Sequence, residues 1–185
     1  MRELLAVPTC MLAFSLPACD SAEIEESLTL GQAITILREL LDLTEWVDAT
    51  KTEACPLGGE ATVATSEGSS SFSADTAWAS FQWVITPDSC AIQAVGDTLV
   101  LEGDPRAVVD MELRYVIGFL EEAQVTITAG GAVTWRRNAG DPEACHMDLA
   151  MENVGVDLDS GDVDGSLAGR LCGYEVEIHF SDLGP

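Results

Sequence analysis

Apolar residues recur along this chain with two different periods, and the change of period divides it. In the stretch from Thr29 to about Val47 the spacing is helical. Leu30, Ile34, Leu37 and Leu41 share one stripe, and Ile36, Leu40, Leu43 and Val47 widen it. Thr29 with Gln32 three residues on has the form of a capping box. So broad an apolar face needs cover, and a sheet can supply it. From Leu57 onward the period falls to two, with turn residues at short intervals, which is the pattern of a β-meander.

The plainest strand begins at Ala107. Val109, Met111, Leu113, Tyr115 and Ile117 point one way, while Asp110, Glu112 and Arg114 point the other. Ala123, Val125, Ile127 and Ala129 alternate in the same way with Gln124, Thr126 and Thr128. Gly130-Gly131 is then expected to turn a hairpin, with Val133 and Trp135 on the returning strand. Further strands are expected at 60–65, 72–86, 90–95, 98–102, 144–158, 163–172 and 174–180, with turns at 67–69, 87–89, 96–97, 103–105, 140–142 and 160–161. Residues 49–56 read as a connector. Trp83 shares its face with Phe81 and Ile85 and reads as core. Trp78 falls on the opposite parity beside Thr76, Ser80 and Gln82, either under the helix or exposed as a contact residue. Trp46 is placed to seal the helix end.

No crossover helices fit between the strands, so the sheet is antiparallel. A sheet of about ten strands must curl, close or split. The expected fold is mainly β: an N-terminal helix packed on a curved antiparallel β-meander, as a half-barrel or barrel. A two-sheet sandwich is the second choice. Residues 29–185 form one domain.

The N-terminus carries a different signal. After Met1-Arg2-Glu3 comes a short apolar run, Leu4-Leu5-Ala6-Val7 and Met11-Leu12-Ala13-Phe14, interrupted by Pro8 and Thr9. Small residues follow, ahead of Cys19. This is the layout of an export signal and is too short and broken to span a membrane. Leu16-Pro17-Ala18-Cys19 resembles the lipobox of bacterial lipoproteins, with Pro17 departing from the usual small residue. The resemblance covers about twenty residues and implies no activity. It implies that residues 1–18 are a removed signal peptide and that Cys19 becomes the lipid-bearing first residue. Residues 19–28 are then a short tether, and the protein lies on the exported side of a cell envelope, periplasmic or at the cell surface. Asp20, directly after the anchor, leaves inner or outer membrane open.

Charge narrows the partners. Acids number 32 against 8 bases, for a net charge of −24, and Lys51 is the only lysine. Such a surface repels nucleic acid and anionic headgroups and attracts divalent cations or a basic protein partner. A monomer is expected. Cys10 leaves with the signal, so Cys55, Cys90, Cys145 and Cys172 remain beside Cys19. Four cysteines in an exported domain suggest two disulfides. Of three pairings, the sequential one is favoured, because Cys55–Cys90 and Cys145–Cys172 each bracket a compact group of strands.

Candidate chemistry is sparse. Asp157, Asp159, Asp162 and Asp164 cluster in a turn and form a weak calcium candidate, although their spacing is not that of an EF-hand. Cys145, His146, Cys172 and His179 could be drawn as a zinc set but lack zinc-site spacing. Ser166 stands second in Gly165-Ser166-Leu167-Ala168-Gly169, so this is not a nucleophile elbow. No catalytic arrangement and no cofactor is called for. The expected function is a membrane-anchored, non-catalytic binding or structural module. The alternatives are a carrier of an apolar ligand in a helix-lidded half-barrel, or a hydrolase acting through carboxylates at the sheet rim.

Overall fold

The structure is a computed structural model and describes residues 27–44, 50–73, 76–104, 106–116, 123–156 and 165–183. The helix α1 spans Leu30–Asp42. Its start is fixed by the anticipated capping box: Gln32 N donates to Thr29 Oγ1 and Thr29 N donates to Gln32 Oε1. Ala33, Ile36, Leu37 and Leu40 form its buried stripe. Trp46 and Val47 lie outside the described residues.

Among the described residues ten strands follow: β1 Lys51–Ala54, β2 Glu60–Phe72, β3 Thr76–Asp88, β4 Cys90–Ala94, β5 Asp97–Glu102, β6 Ala107–Val116, β7 Ala123–Arg137, β8 Glu143–Val156, β9 Ser166–Leu171 and β10 Tyr174–His179. A 3-10 turn, Phe180–Asp182, follows β10. Every strand pairing is antiparallel. The sheet order is β1-β2-β3-β6-β7-β8-β9-β10, and the β4-β5 hairpin joins it through β5 and β7. The expected helix on a large antiparallel sheet is therefore present. The sheet is one piece and is not closed into a barrel.

Three features of the meander differ from expectation. Gly130-Gly131 makes no hairpin; β7 runs straight through it. Residues 123–131 of β7 pair with β6, whereas residues 134–137 pair on the same edge with β5. Gly131 stands where one neighbour gives way to the other. Its φ is 86°, and a Cβ there would lie 2.2 Å from the Arg106 carbonyl oxygen. A paired glycine after an alternating run has two meanings, a tight turn or a close backbone approach, and this chain uses the second. The segment 67–69 is likewise no turn. It is a bulge inside β2, where the register against β3 slips between Ser66 and Ser69. β1 lies in the stretch read as a connector.

Among the described residues, two-residue hairpins occur at Val95-Gly96 and Cys172-Gly173. All four residues have positive φ, as a type I′ turn requires. The disulfides take the sequential pairing. Cys55–Cys90 ties the loop after β1 to the start of β4, with Cα atoms 5.4 Å apart. Cys145–Cys172 ties β8 to the β9–β10 turn, at 4.3 Å.

One face of the sheet carries the core. Val63, Trp83, Ile85, Val109, Ile127, Leu149, Met151, Leu167 and Leu171 join the helix stripe and Ile92, Leu99 and Leu101 of the hairpin in a single buried cluster. A polar clip fixes the helix to that hairpin. Buried Gln32 donates from Nε2 to Asp97 (2.8 Å) and accepts at Oε1 from Arg137 (3.2 Å), whose Nε lies 3.1 Å from Asp97. At the other flank of the helix, Arg38 donates to the Asp182 carbonyl. Among the described residues no helix is long and apolar enough to cross a membrane.

Candidate functional site

The opposite face of β3, β6 and β7 is polar, and the strand register decides what meets there. Three cross-strand rows are set side by side: Trp78, Arg114 and Gln124; Ser80, Glu112 and Thr126; Gln82, Asp110 and Thr128. Each row is forced to this face because its sequence neighbours, Phe81, Trp83, Val109, Met111, Val125 and Ile127, turn towards the core. Two irregularities shape the surface. The β2 bulge lies opposite Phe81, and a second register slip, between β7 and β8, lies at Thr126. Phe81 pairs with Met111 and Met111 with Ile127, so the two irregularities flank the same level of the three central strands. Bulges bend strands and increase twist. At that level lies an open cleft of about 480 Å³, lined by Trp78, Ser80, Gln82, Asp110, Glu112, Thr126 and Thr128, with Phe81 and Met111 at its floor level.

Side chains in the cleft hold one another in place. Trp78 Nε1 donates to Glu112 Oε1. Gln82 Nε2 donates to Asp110 Oδ1 at 2.7 Å. The Ser80 hydroxyl is 2.9 Å from that of Ser69 on the neighbouring strand. Each carboxylate is thus oriented through one oxygen, leaving the other available to the cleft. Among the described residues no group of three or more His, Cys, Asp or Glu is placed to hold a metal ion. The two described histidines stand elsewhere, exposed on β8 and β10. The arrangement is suited to gripping a ligand by its polar groups, with an aromatic ring at one side.

The sequence-derived candidates fare differently. Cys55, Cys90, Cys145 and Cys172 are all consumed in disulfides, which removes the thiolates a Cys145–Cys172 zinc set would need. Cys19 and the aspartates 157, 159, 162 and 164 lie outside the described residues. Trp83 is core, as its parity required. Trp78, left between two roles by the sequence, lines the cleft. Asp110 and Glu112 were legible only as the wet face of a strand. Their meeting with Trp78 and Gln82 needs the β3–β6 register, across a sequence separation of about thirty residues. No protein-family model matches the chain, nor does any curated protein or solved structure.

Proposed function

We propose that the protein is a membrane-anchored lipoprotein of a bacterial envelope, acting as a non-catalytic binding module through the cleft on β3, β6 and β7. The observation that carries this reading is the separation of the cleft from the point where the tether joins the fold. Ser27 and Leu28 border a small hollow together with Trp135, Glu143 and Tyr174, and the Tyr174 hydroxyl donates to the Leu28 carbonyl at 2.7 Å. Trp135 and the cleft residue Thr128 are seven positions apart on β7, about 24 Å of extended strand. A lipid on Cys19 therefore holds one end of the long strands, and the cleft is carried at the other. The ten residues from Cys19 to Leu28 are joined by nine steps and can span at most about 32 Å.

Two further observations support it. The pair of disulfides is consistent with an oxidising, extracytoplasmic compartment. The inner face, where an apolar cargo would sit, is filled by Ile36, Leu37, Leu40, Ile85, Ile92, Leu99 and Leu101 at 2% exposure or less, which favours a module over a carrier.

Fractionation of producing cells tests the anchor. The unaltered protein is expected in the membrane fraction and released only by detergent, and Cys19→Ala is expected to be lost from it. Retention of Cys19→Ala in the membrane to the same extent as the unaltered protein would contradict the reading.

A further inference from the structure

We propose that the cleft binds an arginine-bearing basic segment of a partner protein, with the guanidinium held by Asp110 and Glu112 beside the ring of Trp78. This rests on the reading of the cleft as the binding site and specifies what it takes. Trp78 Nε1 and Gln82 Nε2 are each engaged in holding a carboxylate, and Arg114 stands beside Trp78 on this face but outside the lining, so the strongest groups left within the cleft are acceptors: the second oxygens of Asp110 and Glu112. A ligand must therefore bring donors. Asp110 and Glu112 also stand two residues apart on one strand face, with side chains projecting to the same side, about 7 Å between their Cα atoms. Like charges so placed repel, and a cation between them turns that cost into attraction.

The type of cation follows from the donor set and the shape. With one oxygen of each carboxylate already engaged and, among the described residues, no third acidic, histidine or cysteine ligand joining them, the site falls short of a divalent-metal cage, which takes six or more oxygens for calcium. A guanidinium suits it better: planar, able to donate to both carboxylates, and able to pack on an indole face. A lysine ammonium offers a point charge and no fork. The open shape admits a side chain on a peptide and needs no enclosed small molecule. At longer range the net charge of −24 draws basic partners in and holds anionic ones off.

Diffuse attraction to so acidic a protein must be separated from a localised site, so the test compares variants of equal charge. The probe is a short arginine–glycine peptide added to the full mature protein in neutral detergent, read by calorimetry and tryptophan emission. Asp110→Asn with Glu112→Gln is expected to weaken binding by about tenfold or more, the loss of charge-assisted hydrogen bonds. Asp88→Asn with Asp141→Asn removes the same charge from exposed positions off the cleft and is expected to leave affinity within about twofold. Trp78→Phe, which keeps every charge, is expected to abolish the emission change and weaken binding. Should the cleft double variant fold poorly, Trp78→Phe carries the test alone. Equal weakening by both double variants, indifference to Trp78→Phe, or no binding at all would overturn the proposal. The assay does not depend on attachment to a membrane, so its failure is distinguishable from failure of the anchor, which Cys19→Ala fractionation reads separately.

Discussion

Val95 holds a left-handed backbone, φ 46°, in the two-residue turn that closes the β4–β5 hairpin, and its side chain is largely exposed. A β-branched residue is poorly suited to that conformation, which costs a non-glycine residue roughly 1–2 kcal/mol. Val95→Asn creates the asparagine–glycine pair that type I′ turns favour. It is expected to raise stability by about 0.5–1 kcal/mol in denaturant titration; a lowered midpoint would count against the turn geometry. Glu39 offers a second test. Burial, then the nearby Asp42, raise its pKa above the usual glutamate range, against an opposing pull from Arg38. The folded chain then holds this proton more tightly than the unfolded chain. The contribution to stability is present below the ordinary carboxylate range and lost as pH rises through the raised value. Glu39→Gln is therefore expected to melt higher than the parent at neutral pH, with the difference closing in acid. Legibility at this scale follows sequence distance. The Thr29–Gln32 box spans three residues and could be read directly. The reach of Gln32 to Asp97 and Arg137, 65 and 105 residues away, could not.

Strands with one buried face were legible because alternation is a local property, and nearly every expected strand has a counterpart in the sheet. The failures share a cause. Gly130-Gly131 and the segment 67–69 carry turn residues used here for a change of neighbour and for a bulge, and only the partner strands reveal which. Gly131→Ala tests that account. The added Cβ meets the Arg106 carbonyl and the backbone is at φ 86°, so a loss of about 1–3 kcal/mol or more is expected. A neutral outcome would mean the β5–β6 connection does not cross so closely. The disulfides act on the same scale. Cys55–Cys90 closes a separation of 35 residues, worth about 4 kcal/mol in the chain-entropy model. Replacing both cysteines by alanine is expected to lower unfolding free energy by about that amount while the β4–β5 hairpin stays paired. The cleft itself belongs to this scale as well: Trp78, Gln82, Asp110 and Glu112 were each assigned to a polar face, yet their convergence is a fact of register between three strands.

For the whole molecule the governing quantity is charge. At −24 over 185 residues, the folded chain repels itself. Salt screens that repulsion over about 8–10 Å at physiological strength. The melting temperature is thus expected to climb as sodium chloride is raised from low to physiological concentration, and a flat or falling curve would contradict it. The same field bears on where the protein can stand. Anionic headgroups would repel it, so on the proposed reading it is the N-terminal lipid that would keep an acidic domain at a bilayer. That proposal depends on one atom, the Cys19 sulfur. Intact mass of the protein extracted from membranes tests it most directly. The account predicts a chain beginning at Cys19 and heavier than the polypeptide by a diacylglyceryl group, with or without a further acyl chain. A chain of unmodified mass, or one cut at another residue, would contradict it.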